Sequence, residues 1–200
     1  MPIRENNRKD YGDVSDLELC LLIQRGDEKA FSELFRRHYN ALYQYGMSLY
    51  SSEAFIKDCI QTLFLRLWRK RKFYLKDIQS VKAYLLVSLR RIMLRDKKKR
   101  AARKERNSEY ASDFTKRNHT TEQSIITREI TEERKALLET ALNSLTKRQK
   151  EAFELRLHQG LDNEEIAYVM EITKGRVEDL IYHATRRIKK VISQRAENIR

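Results

Sequence analysis

"LDNEEIAYVMEITKGRVEDLIYHATRRIKK", residues 161–190, reads as two short helices joined by a sharp turn, the second ending in a run of cations. Asp162 stands at an N-cap position with Glu165 three residues on, and Leu161 and Ile166 occupy the positions of a hydrophobic staple. Ile166, Ala167, Val169 and Met170 then recur at helical spacing. "EITKG" makes the turn, and Thr173 caps a second helix that buries Val177, Leu180, Ile181, Ala184, Ile188 and Val191 or Ile192. A pair this short, backed by a preceding amphipathic helix, is the helix-turn-helix arrangement. An ordinary helical hairpin in an interaction domain fits the same pattern.

The outward residues of the second helix are Lys174, Arg176, Glu178, Asp179, Tyr182, His183, Arg186 and Arg187, and these are the candidates for duplex DNA. Its cations flank the acidic pair. Phosphates can then be held from both ends while Glu178 or Asp179 accepts a hydrogen bond from a cytosine amino group.

Upstream, Thr146 and Gln149 offer a capping box ahead of Phe153 and Leu157, and a helix is expected from about 122 to 142. Before it, "NSEYASDFTKRNHTT" is rich in Ser, Thr and Asn with no apolar period, which predicts a flexible linker over 107–121. Residues 15–106 form a first module. It opens with a capping box at Ser15 and Glu18, stapled by Val14 and Leu19, and continues through a helix capped by Asp27. A third helix carries the clearest apolar stripe: Ile56, Cys59, Ile60, Leu63, Phe64, Leu67 and Trp68. A fourth, from Ser80, buries Val81, Leu85, Leu89 and Ile92. Residues 1–14 are expected as a disordered tail and 122–200 as the second module. The fold class expected is all-α, with two small helical domains on a tether.

The fourth helix runs into a block, Arg90 to Arg106, with ten cations against Asp96 and Glu105. Tyr84, Ser88, Arg91, Arg95 and Lys98 project on one face, Arg90 lies beside it, and the preceding loop supplies Phe73 and Tyr74. Cations that follow a backbone, with rings to stack on bases, are what single-stranded nucleic acid requires. A solvated basic face with Tyr84 in the core is the plainer alternative. A separate duplex reader in the same chain favours the nucleic-acid reading.

The totals agree. There are 42 Lys+Arg and 29 Asp+Glu, a formal charge of +13, and the pI is near 9.8, which points to polyanionic partners. Five glycines and one proline leave little turn chemistry for sheets. Cys20 and Cys59 fall on apolar faces without metal-ligand spacing, as buried thiols in a reducing cytosol would. No run approaches the ~18 apolar residues that span a bilayer, and the N-terminus lacks a signal-peptide core, so a soluble, cytoplasmic protein is expected. His38, His119, His158 and His183 are scattered, with neither a phosphate loop nor paired carboxylates. No catalytic residue, metal or cofactor is expected.

"DEKAFSELFRRHYNALYQYG" followed by "DCIQTLFLRLWRKR" resembles the second domain of bacterial sigma factors of the extracytoplasmic-function group, and "LTKRQKEAFELRLHQGLDNEEIAYVMEITKGRVEDLIYHATRRIKK" resembles their fourth. That resemblance implies a non-catalytic subunit that binds core RNA polymerase and directs it to promoters. It implies core binding through Asp58 and Gln61, with Phe64, Arg66 and Trp68 nearby, and capture of the minus-ten single strand by Phe73, Tyr74, Tyr84, Arg90, Arg91, Arg95 and Lys98. The C-terminal module is implied to hold the minus-thirty-five duplex. The partners implied are core polymerase, promoter DNA and an anti-sigma factor, often membrane-bound in the family. The family often carries Asn at the position of Arg91 and Asp at that of Arg95, and usually a cation near Glu178 and His183. The rival expectation is a helix-turn-helix regulator that acts without polymerase.

Overall fold

The computed structural model describes residues 11–71, 78–106, 137 and 139–197, and among them every regular element is an α-helix. The first module comprises α1 (Asp16–Gln24), α2 (Glu28–Leu49), α3 (Glu53–Arg69) and α4 (Val81–Arg106); the second comprises α5 (Lys147–Leu157), α6 (Asn163–Met170) and α7 (Lys174–Glu197). Phe73, Tyr74, the linker 107–121 and most of the helix expected over 122–142 lie outside the described residues, although 137 and 139–143 are helical.

Helix starts are set by short polar side chains. Ser15, Asp27, Ser52, Thr146 and Asp162 each accept an N–H from the first turn, and Glu18, Gln149 and Glu165 complete reciprocal boxes at three of these sites. Each such cap satisfies donors that a helix leaves unpaired. The stripe read on α3 is buried from Ile56 to Leu67, and Leu34, Leu42, Leu85 and Leu89 complete the core.

Of the tail expected over 1–14, residues 1–10 lie outside the described residues and residues 11–14 are fastened to α2. The Arg37 guanidinium donates to the carbonyls of Tyr11, Gly12 and Val14 and to Asp16, and the Tyr11 hydroxyl donates to Asp27 at 2.8 Å. A planar fork with five donors can gather several acceptors at once, so one side chain fastens residues 11–14 to α2.

In the second module α6 ends on Glu171, whose backbone is left-handed at φ 55°. Ile172 N–H then bonds Ala167 O and Thr173 caps α7 through Arg176 N–H, closing the turn between the two helices. Ile166, Val169, Met170, Val177, Leu180 and Ala184 are buried, as their spacing predicts.

The two modules are not held apart. α2 packs on α5 and α4 on α6, and a single buried apolar cluster runs from Leu19 to Leu180 through both. Helical periodicity identified which faces are buried. It did not reveal that one module's face meets the other.

Candidate nucleic-acid and polymerase interfaces

Tyr84, Arg91 and Arg95, drawn from the expected strand-binding face, line a cleft of about 430 Å³ between α3 and α4. Ser88, Leu63, Leu67 and Ile92 form the rest of its α4 side and floor, and Arg66 and Lys70 come from the end of α3. Four cations therefore surround one half-buried ring above an apolar base. Phosphates need such a rim and bases such a floor. Lys98 is exposed farther along α4.

Arg90 departs from expectation. Its side chain, 12% exposed, turns toward the second module, where Nε donates to Glu151 Oε1 at 2.7 Å. The Tyr45 hydroxyl donates to the same oxygen at 2.8 Å. Burial opposes the charge on Arg90, but the hydrogen bond and the Glu151 carboxylate outweigh it and raise its pKa. Burial, then the Glu151 charge, lifts the Tyr45 phenol well above its ordinary range. Arg91 lines the cleft yet also donates from Nε to Glu171 Oε1 at 2.9 Å.

On α3, Asp58 and Gln61 are exposed and lie off the apolar stripe. Phe64 is a correction, being 3% exposed and wedged edge-on against Phe31 and Phe35, so it positions the helix instead of facing outward. Trp68 is half-buried against Phe31, with Arg71 over its ring at 4.5 Å. Arg66, exposed like Asp58 and Gln61, also lines the cleft with Tyr84.

The recognition helix α7 is open. Lys174, Arg176, Glu178, Asp179, Tyr182, His183, Arg186 and Arg187 are all exposed. Its acids have local partners: Asp179 lies 3.8 Å from Arg176, and Glu178 accepts from Asn163 at 3.4 Å. Lys174 is engaged by Glu164 at 2.8 Å, a hydrogen bond that raises the lysine pKa. Arg176, Asp179 and His183 share a hollow of about 400 Å³ with Thr146, Lys147, Arg148 and Gln149 at the start of α5.

Residues 34–103 match the family model for Sigma-70 region 2, and residues 135–188 match that for Sigma-70, region 4. The chain belongs to the sigma-70 family. It is a transcription initiation factor with the promoter-recognition regions of that family, which is non-enzymatic. Among solved structures, this sigma factor is similar to the sigma factor RpoE in complex with the anti-sigma factor NepR from Bartonella quintana: 20% identity, TM-score 0.61, covering 82% of this chain and 98% of that one. It is similar also to CnrH in complex with the cytosolic domain of CnrY, at 20% identity and TM-score 0.58, covering 90% of this chain and 97% of that one. No curated protein matches the sequence significantly. Among the described residues, no helix of the sigma factor is long and apolar enough to cross a membrane, and no group of three or more His, Cys, Asp or Glu could hold a metal.

Several residues of interest escaped the sequence-based expectation. Lys147 and Arg148 border the recognition helix only in three dimensions. Phe35, Tyr39 and Tyr43 form a row along α2, with ring centroids 5.2 and 6.1 Å apart, and Tyr43 lies beside Glu53 and Lys57 of α3. Their i, i+4 spacing is a signal of such a row. Glu151 carried a fainter one, a lone carboxylate beside Ala152 on the face that continues to Leu155.

Proposed function

We propose that the chain is a sigma factor of the extracytoplasmic-function kind that works through three surfaces. The outer face of α3, with Asp58 and Gln61 and the neighbouring Tyr39 and Tyr43, docks on core RNA polymerase. The α3–α4 cleft holds the displaced minus-ten strand: Tyr84 stacks on a base, and Arg66, Lys70, Arg91 and Arg95 hold phosphates, with Lys98 following the strand beyond. A flipped base leaves a weak duplex at a cost of a few kcal/mol, which stacking and cation contacts offset without ATP. α7 enters the minus-thirty-five major groove, and Lys147 and Arg148 at the start of α5 meet the adjoining backbone, where the positive end of a helix favours phosphate.

The observation that carries this reading is the cleft itself, which has four cations from two helices around one half-buried ring. Open exposure of α7 supports the duplex role. An anti-sigma partner is part of the proposal, because the solved relatives named above are bound to NepR and to the CnrY domain. The place of action is the cytoplasm, where polymerase and DNA are.

The test is transcription in vitro with purified core polymerase and genomic DNA, with start sites mapped with and without the chain. New, sequence-related start sites are expected. An absence of start sites beyond those of core polymerase alone would favour a regulator that acts without replacing a sigma subunit. Start sites that persist after Asp58→Ala and Gln61→Ala, with unchanged binding to core enzyme, would remove those two residues from the docking surface.

A further inference from the structure

We propose that Asn163, in the first turn of α6, is a positioning residue for the recognition helix: it holds the Glu178 carboxylate so that its second oxygen can read a base edge. The inference rests on the duplex-reading role proposed for α7. Asn163 Nδ2 donates to Glu178 Oε1 at 3.4 Å, and Asn163 Oδ1 accepts from the Arg156 guanidinium at the end of α5. Arg156 also donates to the Leu161 carbonyl at 3.4 Å, which anchors it in the connection between α5 and α6. Three helices thus give one residue each to a short relay that starts at half-buried Arg156 and ends at exposed Glu178.

The direction of the relay is fixed by its chemistry. A guanidinium only donates and a carboxylate only accepts, so the amide between them turns its oxygen to Arg156 and its nitrogen to Glu178. With Oε1 engaged, Oε2 is left to accept, and the donor in the major groove that suits it is the N4 amino group of cytosine. The next residue of α6 adds a second brace. Glu164 accepts from Lys174 Nζ at 2.8 Å, and Lys174 stands one turn before Glu178 on α7. Adjacent residues of α6 therefore hold one edge of the recognition helix at i and i+4. An unrestrained glutamate gives up rotamer freedom when it meets a base, and one already held gives up less. A hydrogen bond at the protein surface adds little to folding, so its consequence is expected in base discrimination.

The experiment uses holoenzyme assembled from core polymerase and the full chain. It selects from duplexes randomised across the minus-thirty-five segment, and sequencing gives the base preference at each position. Glu178→Ala marks the position that Glu178 reads, as the one whose preference is lost. Asn163→Ala and Asn163→Asp are then required to weaken preference at that same position by roughly threefold or more and to leave the others as they were. Asn163→Asp is the deciding variant. Aspartate keeps the acceptor for Arg156 and suits the first turn of a helix, but it has no donor for Glu178. Its added charge lowers affinity for all duplexes alike and drops out of a preference. In the Glu178→Ala background, Asn163→Asp must change the profile no further, because a residue that acts through Glu178 then has nothing to act on. Undiminished preference in Asn163→Asp, equal loss at every position, or additive loss in the double variant overturns the assignment. Should Asn163→Ala lose its cooperative melt, Asn163→Asp and the double variant decide alone. A wild-type holoenzyme without preference anywhere in the segment would overturn the duplex role of α7 itself, a result distinct from a preference that Asn163 does not affect.

Discussion

Gly46 of α2 faces Ile56 of α3 so closely that a Cβ on the glycine would stand 2.5 Å from Ile56 Cγ2. An alanine inside a helix ordinarily gains up to about 1 kcal/mol over glycine. Here it must displace a β-branched side chain in the core, and overpacking of that sort costs about 1–3 kcal/mol. Gly46→Ala is therefore expected to destabilise the chain in urea unfolding. Gly175→Ala, with nothing within 4 Å of its added Cβ, is expected to stabilise it slightly.

Glu33 supplies a pH dependence of known sign. Hydrogen bonds from Arg36 and then Arg37 lower its carboxyl from 4.5 to about 2. A carboxylate with a depressed folded-state pKa stabilises the fold above its unfolded value and ceases to do so as pH falls through the folded one. Between pH 4.5 and 2 the melting temperature of the wild type should fall more steeply than that of Glu33→Gln. Parallel curves would remove this carboxylate from the acid response.

Both cysteines are free and buried, and burial, with Asp16 adding to it, pushes the Cys20 thiol up to about 12. A thiol that stays protonated and enclosed is a poor nucleophile. Native protein should take up no thiol-specific label at neutral pH on the timescale of minutes, and both residues should react in denaturant. Rapid native labelling at Cys20 would show that α1 opens readily.

Arg66 and Asp58 are neighbours in sequence with separate expected tasks. Asp58→Ala should weaken binding to core polymerase by about 1–3 kcal/mol, as loss of a docking residue does. Arg66→Ala should leave core affinity within about twofold. It should also reduce the salt slope for a single strand by about 0.7, the share of one phosphate contact. Loss of core affinity in Arg66→Ala would return that residue to the polymerase surface.

Lys147→Ala and Arg148→Ala test the start of α5. Each is expected to lower affinity for duplex carrying a minus-thirty-five element and to flatten the salt slope by about 0.9, with no change in preferred sequence. Glu178→Gln should instead change which base pair is preferred, because a carboxylate only accepts, as from a cytosine amino group, whereas an amide both donates and accepts, as adenine requires. A uniform gain in affinity across sequences would make Glu178 a source of repulsion only.

Local chemistry made much of this fold legible. The caps at Ser15, Asp27, Thr146 and Asp162 act within one helical turn, so a few adjacent residues suffice to place them. The face of Tyr84, Arg91 and Arg95 follows from helical spacing alone, and the three do share a cleft. Arg90 and Glu151 could not be paired in this way. They are 61 residues apart with the linker between them, and periodicity says that a face is covered without saying by what. Phe64, by contrast, was legible from spacing: its place in the apolar stripe of α3 puts the ring inside, and only the resemblance grouped it with Asp58 and Gln61. It lies between Phe31 and Phe35, inside.

Glu171 holds a backbone shape that glycine or asparagine adopts more cheaply, at a cost to an ordinary residue of order 1 kcal/mol. Its side chain meanwhile reaches across to Arg91. Glycine at 171 would thus make the helix-turn-helix sturdier and its hold on the other half weaker in one stroke. At this single site, ruggedness of the part and cohesion of the whole run in opposite directions.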